Sequence, residues 1–257
     1  MNGTTTVQLA EKTAKAVTGS VEEWTGFLQS AARLYKYSYP EQLLIYAQRP
    51  EATACASYEI WNQTMRRYVR RGAKGIALLD GAGAVRYVFD VADTGARKSS
   101  REVKTWALDE NNREVVARAL ETQYGSAAKL GIAGQLEEIA MQQSMDYWQW
   151  HQDELRGIVD GSFLEGYDEL NLEIAFRNTA AASVKYMLLS RCNLAQEYRL
   201  EPEELAGVLE WNTPAASGAL GSAISEMGEG VLRQIERTIR QYERSQNHDE
   251  RTDVHEE

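Results

Sequence analysis

The sequence predicts an α+β protein, with a small antiparallel sheet packed on helices in the N-terminal half and an all-α helical half after it. Three observations carry this reading. Two amphipathic segments with helix-start signals precede residue 50. The hydrophobic period then shortens across two β-branched, aromatic-bearing runs separated by "DGAG". Beyond about residue 105 the apolar residues recur at helical spacing to near the end.

Residues 1–19 form an N-terminal segment to which no element is assigned. Ser20-Val21-Glu22-Glu23 has the capping-box pattern, in which a serine oxygen accepts from the N3 amide and the glutamate reaches back. Trp24, Phe27, Leu28, Ala31 and Leu34/Tyr35 follow at helical spacing as far as Tyr37. Pro40 suits the first turn of a second helix, "PEQLLIYAQRP", which stops before Pro50 because the residue ahead of a proline is pushed out of the α region. "ATACASY" predicts a short strand or extended link, and "YEIWNQTM" a short helix that offers Ile60 and Trp61 to the core.

From Tyr68 the runs "YVRRGAKGIALLD" and "AVRYVFDV" predict a hairpin on "DGAG", within a sheet over roughly residues 54–92. Residues 20–95 then make up an α+β domain, and the polar, basic stretch 96–104 a linker. In the helical domain, 105–246, "NREVVARALETQYG" closes on a glycine suited to a helix C-terminus. One or two helices follow to about residue 160, and another in "YDELNLEIAFRNTAAASVKYMLLSRC". Pro214 opens a long helix whose Leu220, Ile224, Met227, Val231, Ile235, Ile239 and Tyr242 predict a core-facing stripe. The charged tail 247–257 lacks a core-forming pattern and is expected to be disordered.

Composition narrows the function classes. The chain has 257 residues, 43% hydrophobic and 26% charged, enough for one large domain or two modest ones. Mean hydropathy is −0.49 and no 18-residue apolar run occurs, so no membrane partner is expected. The opening "MNGTTTVQLAEKTAKAV" has no apolar core of a secretory signal. Cys55 and Cys192 stand far apart and form no disulfide framework, so a reducing, cytoplasmic location is expected. The formal charge of −10 is unevenly shared: residues 1–100 hold 13 Lys/Arg against 9 Asp/Glu, and residues 101–257 hold 15 against 29. Such asymmetry fits an N-terminal surface for a polyanion and an acidic remainder facing solvent or a protein partner; a basic face that is merely solvated fits it equally.

No motif points to catalysis. His151, His248, His255 and the two cysteines lack zinc-site spacing, and there is no His-Glu-x-x-His, Cys-x-x-Cys or EF-hand loop. "GAGAV" and "GALGSA" do not sit at the strand-to-helix junction a phosphate loop needs, and no G-x-S-x-G elbow occurs. The chain is therefore read as a non-enzyme with no cofactor and no metal.

The remaining signal is basic residues interleaved with aromatics, the pattern by which single-stranded nucleic acid is held. Arg66, Arg67, Arg70, Arg71 and Lys74 fall within nine residues without one acid, and Gly72 and Gly75 shape the tip of their turn. Lys36 and Arg49 are candidate outer phosphate contacts. Tyr37 and Tyr39, which flank a helix break, are candidates for stacking on bases. The open alternative for the Gly72-Ala73-Lys74-Gly75 turn is an ordinary glycine turn with a solvated lysine.

Residues 37–80, "YSYPEQLLIYAQRPEATACASYEIWNQTMRRYVRRGAKGIALLD", resemble the N-terminal domain of ArdC-type antirestriction proteins. The matching elements are Ser38, Gln48-Arg49-Pro50, Ala52-Thr53, Tyr58 with Trp61, and Val69-Arg70-Arg71-Gly72-Ala73-Lys74-Gly75-Ile76, in that order. "YVFDVADT", residues 87–94, resembles the strand that closes that domain. With "WNTP" at residues 211–214, the chain also resembles the N-terminal region of large proteins of Firmicutes mobile elements, which often continue into helicase and DNA-methylase segments.

The resemblance implies single-stranded DNA as partner and a role in antirestriction or in protecting or processing DNA during conjugative transfer. The family's metallopeptidase-like second domain, with its His-Glu-x-x-His, has no counterpart here, so no protease activity is implied. Many members carry Asn where this chain has Pro40 or Glu41, so no DNA contact is assigned there. A competing expectation is a protein-interaction module in which the acidic helical half docks on a restriction enzyme or a larger helicase–methylase. A third is that the chain is a fragment or split subunit of such a protein.

Overall fold

In a computed structural model, the described residues are 2–129, 131–195 and 201–253. The fold is α+β: a three-stranded antiparallel sheet and a two-stranded ribbon lie against a larger helical body. Three helices come first, α1 (Gly3–Val17), α2 (Val21–Arg33) and α3 (Tyr39–Gln48). Ser20 caps α2 by accepting from the Glu23 amide at 3.1 Å. Ser38 precedes α3, and the Glu41 carboxylate accepts from both its amide and its hydroxyl at 3.1 Å.

The N-terminal segment without an assigned element is helical. Asn2 caps α1, and the buried Thr6 and Thr13 hydroxyls donate to the Asn2 and Leu9 carbonyls one turn back. The two threonines share the inner face with Ala14 and Val17, and Leu9 and Ala10 pack on the small core, so the helical period is present but diluted by polar side chains that are satisfied within the helix.

The strands are β1 (Cys55–Ser57), β2 (Tyr68–Val69), β3 (Ile76–Leu79), β4 (Val85–Asp90) and β5 (Thr94–Gly95). The predicted hairpin is β3–β4, paired from Ile76↔Val88 to Leu79↔Val85, and β1 adds to the far side of β4. The other edge of the sheet is closed by a side chain. Gln48 Oε1 accepts from the Ala77 amide and its Nε2 donates to the Ala77 carbonyl, both at 2.9 Å. This blunts a strand edge that would otherwise be open to pairing. Ile76, Leu78 and Val88 pack on Leu34, Leu44 and Ile45 in a small core between sheet and helices.

Among the described residues four further α-helices follow, α4 (Arg113–Tyr124), α5 (Gly131–Gly157), α6 (Glu169–Arg191) and α7 (Pro214–Asp253), with a 3-10 helix at Pro202–Glu210. Gly125 ends α4 at φ 72°, the predicted C-terminal glycine. In "WNTP", Trp211 is fully buried and Thr213 Oγ1 caps α7 through the Ala216 amide. The predicted stripe of α7 is core as far as Ile239: Leu220, Ile224, Met227, Val231, Ile235 and Ile239 are buried, whereas Tyr242, its last member, is only half-buried.

Two boundaries differ from expectation. The main core runs through α2 and α3 as well as α4–α7, so the predicted division at residues 96–104 separates sequence patterns and not packing units. Trp24 Nε1 donates to Ser183 Oγ in α6 at 3.0 Å, and the Tyr35 hydroxyl donates to Glu236 in α7 at 2.6 Å. The predicted linker is itself tied down. The Arg101 amide donates to the Met65 carbonyl at 2.9 Å, the Ser100 hydroxyl to the Arg66 carbonyl at 2.6 Å, and Arg240 to the Lys104 carbonyl at 2.6 Å. At the other end, residues 247–253 of the predicted disordered tail have helical backbone as part of α7; residues 254–257 lie outside the described residues.

Candidate nucleic-acid interface

The basic run is not one strand. After Trp61 the chain leaves a short π-helical turn (Ile60–Thr64), and Arg66 takes a left-handed backbone at φ 54°. Tyr68 and Val69 then pair with Gly95 and Thr94 in the two-stranded ribbon. The Arg70 amide donates to the Asp93 carbonyl at 2.8 Å, after which residues 70–75 swing out before β3 begins at Ile76. The Ala73 amide closes this turn onto the Arg70 carbonyl at 3.1 Å, and Gly72 supplies the positive φ of 85° that a side-chain-bearing residue rarely adopts.

The turn comes to rest beside aromatic rings. Strand alternation sends Val88 into the small core and Tyr87 and Phe89 to the opposite face of β4. Gly75 lies against both rings: a Cβ there would stand 3.0 Å from Tyr87 Cδ1 and 3.2 Å from Phe89 Cζ. Tyr58 packs edge-on against Phe89 with ring centroids 6.4 Å apart. Tyr58 and Tyr87 keep 53% and 44% of their surface exposed. In the ribbon, Tyr68 covers Gly95 so closely that a Cβ at that glycine would overlap its ring, and the Arg97 guanidinium stands 5.5 Å from the ring centroid.

Cations surround this face. Arg66, Arg70, Arg71 and Lys74 are exposed, and none has a carboxylate within ion-pair distance among the described residues. Arg67 is half-buried and donates through Nε to Thr94 Oγ1 at 2.8 Å, which fixes its stem while leaving its terminal nitrogens unassigned to any acid. The β2–β5 pairing brings Arg97, Lys98 and Arg101 alongside, a contribution that the sequence had assigned to a linker. Residues 66–101 hold nine Lys/Arg against three Asp. All three acids are engaged: Asp93 pairs with Arg49, buried Asp90 accepts from the Thr53, Ala54 and Ala92 amides, and Asp80 accepts from the Ala82 and Ala84 amides of its own turn.

Four predicted contacts are positioned for other work. The Tyr39 ring is 4% exposed; it packs edge-on against Phe27 and fills a notch at Gly221 of α7, where a Cβ would overlap it. It cannot stack on a base. Tyr37 is half-buried, and its hydroxyl donates to the Cys55 carbonyl at 2.8 Å. Lys36 pairs with Glu236 at 2.6 Å, and Arg49 pairs with Asp93. These two cations tie elements together and are not held out toward solvent phosphates. Tyr58, Tyr68 and Tyr87, which belong to the interleaved pattern but are not among the stacking candidates, are the exposed aromatics of this segment. The period-two pattern of "VRYVFD" carried the signal for Tyr87, because an inward Val88 forces its neighbours outward.

Neither cysteine is held as a thiolate near neutral pH. Burial, reinforced by Asp90, pushes the Cys55 thiol up to about 12, and burial, against the opposing pull of Arg191, pushes Cys192 up to about 12. Among the described residues no group of three His, Cys, Asp or Glu is placed to hold a metal ion, and no helix is long and apolar enough to cross a membrane. His151 stacks on Tyr147 with ring centroids 4.1 Å apart. Comparison with protein-family models, curated proteins and solved structures found no match for this chain.

Proposed function

We propose that this chain is a non-enzymatic single-stranded DNA-binding protein whose strand-binding surface is the Arg66–Gly75 segment together with the outer face of β4. The observation that carries the reading is the contact of Gly75 with Tyr87 and Phe89, which sets a cationic turn at the margin of an exposed aromatic face. Phosphates follow the cations, and bases stack on Tyr58 and Tyr87. Backbone contacts of this kind position a strand without reading its sequence, so binding is sequence-tolerant. The resemblance of residues 37–94 to the ArdC-type N-terminal domain supports DNA as the polyanion. It also supports a cytoplasmic role in antirestriction, or in protecting or processing transferred DNA of a mobile element.

Fluorescence anisotropy with a labelled 20-nucleotide oligo-dT tests this. The expected result is saturable binding that single-stranded competitor displaces far better than duplex, and that Tyr87→Ala weakens with an unchanged melting temperature. Equal displacement by duplex, or an unaffected Tyr87→Ala variant, would remove the aromatic face from the account.

A further inference from the structure

On the opposite side of the sequence's charge divide, α5, α6 and the 3-10 helix at Pro202–Glu210 enclose an open groove of about 480 Å³. Its floor is made of small residues of α6, Ala175, Ala182 and the Thr179 that Gly207 approaches so closely that a Cβ at 207 would overlap its hydroxyl. Glycine there draws the 3-10 helix down onto α6 and keeps the floor shallow. On the α5 wall Met141 lines the groove at 55% exposure next to Glu137, and Met145, one turn beyond the lining, extends the apolar side at 38% exposure. Toward the start of α6 the same side of the helix continues in Ile174 and Leu170, which are 45% and 64% exposed.

The rim is acidic. Glu137, Glu203, Glu204 and Glu210 line the groove, and Lys185 is the one cation among the described lining residues. Lys185 is already neutralised, bonded to Glu137 and Glu204 at 2.8 Å each, and is buried. Burial alone would lower its pKa, but the two carboxylates outweigh it and keep the ammonium charged. The groove therefore combines a floor of small side chains, mainly alanines with Asn178 and Thr179 among them, a flexible methionine that adapts to a partner's shape, and net negative charge at its edges.

We propose that this groove is the docking site of a basic amphipathic helix from a protein partner. Its apolar face would lie on Ala175, Ala182, Met141 and Met145, and its Lys or Arg side chains would meet Glu203 and Glu210. Charge complementarity selects that occupant: an acidic helix would face four carboxylates, and a second copy of this helical half would bring like charge to like.

The probe is a labelled 18-residue Leu/Lys peptide with leucines at three- and four-residue helical spacing, compared with a scramble of identical composition that has no apolar face. The intact chain is expected to bind the amphipathic peptide saturably and about tenfold more tightly than the scramble. Ala182→Trp, which fills the groove without changing charge, is expected to weaken the peptide about tenfold. Met141→Gln, at a residue too exposed to matter for folding, is expected to weaken it about fivefold. Equal affinity for peptide and scramble would mean bulk electrostatics only and would overturn the proposal, as would wild-type affinity in both variants. If Ala182→Trp fails to fold, Met141→Gln and the scramble decide alone.

Discussion

The backbone of Gly75 lies against the ring of Tyr87, with a Cβ at 75 destined to stand 3.0 Å from Cδ1 and 3.1 Å from Cβ of that tyrosine. Those spacings are tighter than ordinary contact, so any side chain at 75 must displace either the turn or the ring. Gly75→Val is expected to lower single-stranded DNA affinity several-fold and to cost about 1–3 kcal/mol of stability, since the Tyr87 ring can rotate but its Cβ is fixed to β4, so the turn itself must shift. Oligonucleotide titration beside urea unfolding separates the two effects.

The exposed tyrosines and the buried ones should part company under mutation. Tyr58→Ala and Tyr87→Ala are each expected to cost about 1–3 kcal/mol of binding, the worth of one stacked base, with little change in stability. Tyr37→Phe removes a hydroxyl that donates to Cys55, and is expected to cost about 1 kcal/mol of stability and no affinity.

Tyr39 allows a sharper test, because among the described residues no group hydrogen-bonds its buried hydroxyl. Tyr39→Phe is therefore expected to raise stability by about 1 kcal/mol. Tyr39→Ala, which empties the notch at Gly221, is expected to cost about 3–5 kcal/mol. Calorimetry on the two variants checks both signs.

Gly221 reverses an ordinary rule. Glycine to alanine inside a helix usually stabilises by about 0.5–1 kcal/mol. Here the new methyl would overlap the Tyr39 ring, so Gly221→Ala is expected to destabilise by about 1–3 kcal/mol. Combining it with Tyr39→Ala should recover part of that loss in a double-mutant cycle.

Acid sensitivity follows from Glu236. Burial raises its pKa, but hydrogen bonds from Lys36 and Tyr35 outweigh burial and hold the carboxyl below its ordinary 4.5. The folded-state value is the lower one, so this stabilisation is present above 4.5 and is lost as pH falls through the folded value. Glu236→Gln is expected to be less stable than wild type at neutral pH, with the gap narrowing in acid. Denaturant midpoints measured across pH would show a constant gap if Glu236 were not the group involved.

Much of the architecture was legible because it rests on local rules. The Ser20 cap, the "DGAG" hairpin, the glycine closing α4 and the stripe of α7 are each written in a few neighbouring residues. What escaped depends on distant partners or on atypical chemistry. Threonines at two inward positions of α1 weaken the hydrophobic period that Leu9, Ala10, Ala14 and Val17 carry. Gly72 and the pairing of Val69 with Thr94 split a run that reads as one strand, and pull residues 97–101 beside the basic turn. Tyr39 flanks a helix break, where side chains are often exposed, yet α7 presents Gly221 to receive it. The cationic turn was found by composition alone; the rings it accompanies needed the register of β4.

The most direct test of the account is the affinity of the intact chain for oligo-dT at two salt concentrations, for wild type and for Arg70→Glu/Arg71→Glu. Wild type is predicted to lose affinity steeply with salt, with a log–log slope of about −0.7 for each phosphate neutralised, and the double reversal to abolish most binding at low salt. No binding by wild type at low salt, or equal binding by the reversed variant, would contradict it.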